Sequence, residues 1–237
     1  MREHRALLGR IERWSGVPRR FVVAIWGAET GYGPYTGDVP VFQALATLAW
    51  EPRRADYFRA ELFDALRIVQ RGDIDLAAMR GSWAGAMGQP QFMPSSYLKY
   101  AYDFDRDGRR DIWQSIPDTL ASIANYLRSF GWRNGETWGR EVSVTPAPSN
   151  IDALVPRAEG CGALRALTAR RPVRAWAADG VRPADGNSLP RSNVPASLVL
   201  TTDARRFLVY RNYEAILAYN CSHYYALSVA MLADQIG

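Results

Sequence analysis

From Glu3 to Phe130 the chain repeats one pattern: runs whose apolar side chains recur every three or four residues, three of them closed by glycine. Glu3 to Trp14 carries Leu7, Leu8, Ile11 and Trp14 and stops at Ser15-Gly16. Pro18 suits the opening of a second helix, in which Phe21, Ile25 and Glu29 fall at i, i+4 and i+8 on one face. Arg54 to Arg71 reads as a third, with Phe58, Leu62, Leu66 and Val69 inward and Gly72 closing it. Pro117 to Phe130 reads as a fourth, with Leu120, Ile123, Leu127 and Phe130 inward and Gly131 as its stop. Helices with apolar stripes must bury them against one another, so these residues predict a helical core.

The texture changes near Val142. From there to about Asp203 the chain is rich in Pro, Gly, Ser and Asn, with short β-type runs at Val142–Val144, Val173–Trp176 and Ser197–Leu200. Helical spacing returns from Tyr213 to Ile236, through Ile216, Leu217, Tyr224, Leu227, Met231 and Leu232. The expected fold is therefore mainly α (α+β). Residues 1–141 form a helical core, 142–205 a small inserted β-rich lobe, and 206–237 return to the core as helix.

Composition removes several classes of function. The 237 residues are 48% hydrophobic and 22% charged, an ordinary soluble balance with enough chain to bury a core. No apolar run is long enough to span a membrane, and the first residues, Met1-Arg2-Glu3-His4-Arg5, carry no apolar signal-peptide core. The net charge of +5 is mildly basic, but the arginine pairs are scattered and no nucleic-acid recognition motif accompanies them. Cys161 and Cys221 lie in no CxxC or Cys/His cluster, which argues against zinc. Spacing alone leaves a disulfide and two buried thiols equally open.

Three motifs carry chemistry. Glu29, in Trp26-Gly27-Ala28-Glu29-Thr30-Gly31-Tyr32-Gly33, ends an otherwise apolar face just before a glycine-rich stretch. A carboxyl there is partly desolvated, which favours the neutral acid and suits protonation of a glycosidic oxygen. Ordinary glycosidases use a second carboxylate; Asp38 is nearest in sequence, and nothing places it opposite Glu29. The stretch from Gly81 to Tyr97 combines small residues, which let a backbone approach closely, with Ser82 and Gln91, neutral groups of the kind that hold sugars. Tyr219-Asn220-Cys221-Ser222-His223-Tyr224-Tyr225 crowds aromatic and amide groups together. In addition, Asp103-Phe104-Asp105-Arg106-Asp107-Gly108-Arg109 opens like an EF-hand, although Gln114 stands where the closing Glu is usual. Asp118, three residues after Ser115, suits a helix capping arrangement with it.

Together these motifs resemble the lytic murein transglycosylase B family, glycoside hydrolase family 103. The resemblance rests on Ala24 to Gly33, Gly81 to Gly88 with Gln91 to Tyr97, Ala124-Asn125-Tyr126-Leu127, Asn212-Tyr213 and Tyr219-Asn220, in family order across nearly the whole chain. It implies a lysozyme-like core and cleavage of the β-1,4 bond between MurNAc and GlcNAc in peptidoglycan. Glu29 matches the family's catalytic glutamate, acting first as acid and then as base. The muramyl C6 hydroxyl attacks C1, so no second carboxylate is required. Ser82, Gln91, Phe92, Tyr219, Asn220 and Tyr225 match positions that line the sugar groove.

Further expectations follow from the resemblance. Asp103, Asp105, Asp107, the Arg109 carbonyl and Asp118 would hold a structural Ca²⁺ or Na⁺, with no cofactor for catalysis. Relatives are exported to the periplasm or cell envelope and have more helix before this chain's first residue. The expected partner is a peptidoglycan strand, with no nucleic acid and no membrane span, and the chain is expected to be a monomer. Two alternatives stay open: a hydrolytic muramidase using Asp38 or another carboxylate, and a non-catalytic peptidoglycan-binding module.

Overall fold

The structure, a computed structural model, describes residues 2–144 and 159–237. The chain divides into two units, Met1–Ser129 with Ala233–Gly237, and Phe130–Leu232. The lobe expected at 142–205 includes residues 145–158, which lie outside the described residues.

The first unit opens with α1 (Arg5–Ser15) and α2 (Arg19–Thr30). Six successive residues of α2, Phe21 to Trp26, are buried, and a helix that is apolar on every side belongs in an interior. Pro18 leads into it with extended backbone, and Gly31 ends it in the left-handed conformation at φ 59°. β1 (Val39–Pro40) and α3 (Val41–Trp50) follow, and α4 (Ala55–Gln70) packs against α3. β2 (Arg80–Gly81) pairs antiparallel with β1, bringing Val39 opposite Gly81. α5 (Pro94–Tyr100) packs on α4, and α6 (Ile116–Ser129) buries Leu120, Ile123 and Leu127 as it packs on α1 and α2.

The face of α4 differs from the expectation. Its buried residues are Phe58, Glu61, Ala65 and Ile68, while Leu66 is exposed. Glu61 explains the rotation. Its two carboxylate oxygens accept the Ser95 N–H at 2.8 Å and the Ser95 hydroxyl at 2.7 Å, capping the start of α5 from a neighbouring helix. Turning Glu61 inward turns Leu66 out.

The second unit contains β3 (Gly139–Val144), α7 (Gly162–Arg165), β4 (Arg171–Pro172), α8 (Val173–Ala178), β5 (Val181–Pro183), β6 (Pro195–Leu200), β7 (Arg206–Val209) and α9 (Arg211–Tyr219). α10 (His223–Ile236) begins in it and ends in the first unit. The strands form an antiparallel sheet in the order β4-β6-β7-β3-β5. One face buries Val142, Val181, Leu198 and Leu208 with Val173 and Trp176. Those last two were expected on a strand, and here the structure corrects the reading: Val173–Trp176 is helical. Pro172 supplies the extended residue before a helix start and three alanines favour the helix, while Trp176 stays buried with its Nε1–H on the Ala196 carbonyl at 3.0 Å.

Two other expectations shift. The sheet overruns 142–205 at both ends, because Gly139 pairs with Val209 and Phe207 and Leu208 are buried in β7. The helical stretch expected over Tyr213–Ile236 is divided into α9 and α10 by a break between Tyr219 and His223. Ser222 restarts it, its hydroxyl accepting the N–H of Tyr225. Cys161 and Cys221 form a disulfide with Cα atoms 6.2 Å apart, which settles the open pairing and anchors the break. Among the described residues no helix is long and apolar enough to cross a membrane.

Candidate active site and carboxylate loop

Glu29 lies half-buried in the last turn of α2. The turn after it is held from several sides. The Gly31 N–H returns to the Gly27 carbonyl at 3.0 Å, and the Tyr32 N–H to the Trp26 carbonyl at 3.4 Å. The Tyr32 ring folds over Gly27 so closely that a Cβ there would lie 2.8 Å from it, and the same ring meets Trp26 edge-on at 5.4 Å. Tyr32 pays with a φ of 70°, a conformation rare for a bulky residue and kept only where its surroundings over-determine it. Thr30 is buried and donates its hydroxyl to the Gln89 carbonyl at 3.0 Å.

The chain then runs onto the second motif. The Gln91 amide nitrogen donates to the carbonyls of Thr36 and Gly88, both at 2.9 Å. Gln91 also has a positive φ, 51°. Gly37 rests on the backbone of Gly81 and Ser82. Ser82 organises its own loop: its hydroxyl oxygen accepts the N–H groups of Ala84 at 3.3 Å and Ala86 at 3.1 Å. Thus the structure brings the Glu29 loop, Ser82 and Gln91 together through the 31–38 segment. The loops expose Trp83 (74%) and Tyr35 (77%), flat apolar faces of the kind that stack on sugar rings.

Phe92 is placed differently from the expectation of a groove residue. It is 2% exposed, with its ring 5.5 Å from that of Tyr126, so it packs beneath the loop. Asp38 is exposed, and its backbone carbonyl accepts from Arg80 at 2.6 Å. In the second unit, Asn220 is exposed, and the half-buried rings of Tyr219 and Tyr225 lie near-parallel, 6.4 Å apart. Asn212 serves structure: its side chain bonds the backbone of Arg133 in both directions and the Glu136 carbonyl.

The acidic loop assembles as the motif suggested. Asp103, Asp105, Asp107 and Asp118 each offer a carboxylate oxygen, all within 4.8 Å of one another. Backbone N–H groups hold them: Arg106 and Gly108 on Asp103, Asp107 on Asp105, Arg109 on Asp107, and Phe104 and Asp111 on Asp118. Burial pushes the Asp118 carboxyl up to about 6 against the pull of its two backbone donors, and Asp105 and Asp103 add like charge. Such a crowd of oxygen ligands fits a hard cation such as Ca²⁺.

Residues 1–234 match the family described as transglycosylase SLT domain. This chain belongs to that family. SltB3 from Pseudomonas aeruginosa, solved with NAG-anhNAM-pentapeptide, is 44% identical; the match covers 98% of this chain and 60% of that one, with a TM-score of 0.87. Membrane-bound lytic murein transglycosylase B of Escherichia coli K12 is 33% identical over 97% of this chain and 60% of its own length. The Escherichia coli lytic transglycosylase Slt35, solved in complex with calcium, is 32% identical over 99% of this chain and 71% of that one, with a TM-score of 0.81. The chain therefore spans about 60% of the length of the curated relative and of SltB3.

Some residues of this SLT domain escaped the sequence reading. Gln89 and Thr30 hold the Glu29 turn, and Glu61 caps α5. The signal for Glu61 was a carboxylate three residues from Phe58, which suits the inward face of a helix. Gln89 stood in the open as a lone amide between Gly88 and Pro90.

Proposed function

We propose that this domain is a lytic transglycosylase of the cell envelope that cleaves the β-1,4 MurNAc–GlcNAc bond of peptidoglycan without consuming water. The observation that carries the reading is the half-buried Glu29 on a turn held from several sides, next to the Ser82–Gln91 loop. A carboxyl kept part-way out of water suits proton transfer at a glycosidic oxygen. Glu29 protonates that oxygen as the C1–O bond breaks. It then accepts the proton of the muramyl C6 hydroxyl as that oxygen bonds to C1, leaving a 1,6-anhydro end and returning Glu29 to its acid form. Trp83 and Tyr35 offer faces for neighbouring sugars and Phe92 supports the loop from beneath; Tyr219, Asn220 and Tyr225 are the second unit's own candidates for sugar contact. Asp103, Asp105, Asp107 and Asp118, with the Arg109 carbonyl, would hold a Ca²⁺ in a structural role.

Mass spectrometry of digested sacculi tests the chemistry. The expected products are muropeptides one water lighter than reducing-end products, and none from Glu29→Gln, which keeps the shape and removes the transferable proton. Reducing ends would convert the reading to a hydrolytic muramidase. Wild-type digestion by Glu29→Gln would remove Glu29 from the mechanism.

A further inference from the structure

We infer that Gln89 is the positioning residue for the Glu29 carboxyl group, a role that rests on Glu29 being the acid. Gln89 is 5% exposed and touches the Glu29 segment on both sides. Three residues before Glu29, the Trp26 Nε1–H donates to the Gln89 Oε1 at 2.8 Å. One residue after it, the Thr30 hydroxyl donates to the Gln89 backbone carbonyl at 3.0 Å. Four residues after it, Gly33 passes so close that a Cβ there would lie 2.9 Å from the Gln89 Oε1. One residue therefore brackets the acid at positions −3, +1 and +4.

Its other contacts give it something firm to hold. The Gln89 Nε2 donates to the Trp113 carbonyl at 2.9 Å, and its backbone N–H to the Ile112 carbonyl at 2.9 Å. The Trp113 N–H is in turn held by the Asp111 carboxylate at 2.9 Å. The side chain must therefore accept at one end and donate at the other. Glutamine does both at this length. Leucine would fill the space and leave a buried donor and acceptor unpaired. A carboxylate would keep the bond to Trp26 and set a negative oxygen against the Trp113 carbonyl, whereas a protonated carboxyl would donate there and restore both bonds. The apolar body of α2, Phe21 to Ile25, is buried independently of this amide, so losing it shifts the end of the helix more than its middle.

The test uses Gln89→Leu and Gln89→Glu with wild type and Glu29→Gln, assayed on soluble uncrosslinked glycan strands. A displacement of about 1 Å at a reacting group costs on the order of 100-fold in rate. Gln89→Leu is expected to lower kcat by roughly 30- to 100-fold with KM within about threefold. Amide exchange should quicken at residues 27–36 and stay unchanged in α4 and α6. Gln89→Glu should recover relative to wild type as pH falls from about 7.5 to 5 and its buried carboxyl takes up a proton; Gln89→Leu should not. Gln89→Glu alone carries the test should the leucine variant not fold. If kcat stays within threefold of wild type in both variants while Glu29→Gln is inactive, the positioning role is wrong and the acid assignment stands. An equal loss in kcat and rise in KM would also overturn it. Full activity of Glu29→Gln would sink the underlying reading instead.

Discussion

Gly37 joins the Glu29 loop to the Ser82 loop, and a single methyl group there should separate them. Its φ is 90°, and a Cβ would lie 2.2 Å from the Gly81 oxygen, 2.4 Å from the Gly81 carbonyl carbon and 2.8 Å from the Ser82 nitrogen. All three are backbone atoms and cannot swing aside. Restoring ordinary contact at 3.4 Å requires the two segments to part by about 1.2 Å, beside the pair Val39–Gly81 that joins β1 to β2. Gly72 supplies the control: its φ is 73°, but nothing lies within 4 Å of its missing Cβ. Gly72→Ala should therefore cost only the left-handed penalty, about 1–2 kcal/mol, or roughly 2–8 °C in thermal midpoint for a chain of this size. Gly37→Ala should cost about twice that or more, since it adds the displaced strand pair. It should also lose on the order of 100-fold in sacculus digestion, as a 1 Å misplacement near an acid does, while Gly72→Ala stays within about twofold. Equal midpoints and equal rates for the two alanine variants would refute the close approach that ties these loops together.

Two further measurements address the rest of the molecule. Calcium at about 100 times its dissociation constant should stabilise the protein by about 2.7 kcal/mol, read as a rise in thermal midpoint; Asp105→Ala with Asp107→Ala should abolish the rise, and an unchanged response would exclude the acidic loop. The second concerns His223, whose imidazole burial holds below its ordinary 6.5 against a backbone hydrogen bond at Ala163, with the Tyr213 hydroxyl 2.9 Å from its Nδ1. The unfolded chain takes up this proton first, so the contribution of His223 is complete above about pH 6.5 and is lost as pH falls below it. Wild type should lose more thermal stability than His223→Gln between pH 7.5 and 5.5. The raised Asp118 carboxyl, which acts in the opposite direction, is common to both chains and cancels; parallel curves would dismiss the His223 effect.

What could be read in advance and what could not divides along physical lines. α2 and α6 were legible because their apolar residues recur at helical spacing and a glycine follows each, although both helices are buried on nearly every side. The acidic loop was legible because its carboxylates are spaced by local turn geometry, with each backbone bond reaching only a few residues, save those on Asp118. α4 was misread because a tertiary bond, Glu61 to Ser95 across 34 residues, overrode its apolar count. α8 was misread because Val173-Arg174-Ala175-Trp176 lies as a short run among turn signals and resembles a strand in length, whereas burial of Val173 and Trp176, three apart, is what one face of a helix offers. Glu29 was legible as a carboxylate ending an apolar face, but the means of holding its turn was not. The Gln89 side-chain bonds reach Trp26 across 63 residues and Trp113 across 24. No periodicity records a partnership at that range. A lone amide in a glycine-rich motif is equally consistent with touching a sugar, as expected of Gln91, and with holding the protein's own backbone, which is what both Gln89 and Gln91 do here. Small-residue motifs of this kind therefore need two readings for every polar side chain they contain. Burial separates them: at 5% exposure, Gln89 can reach only its own fold.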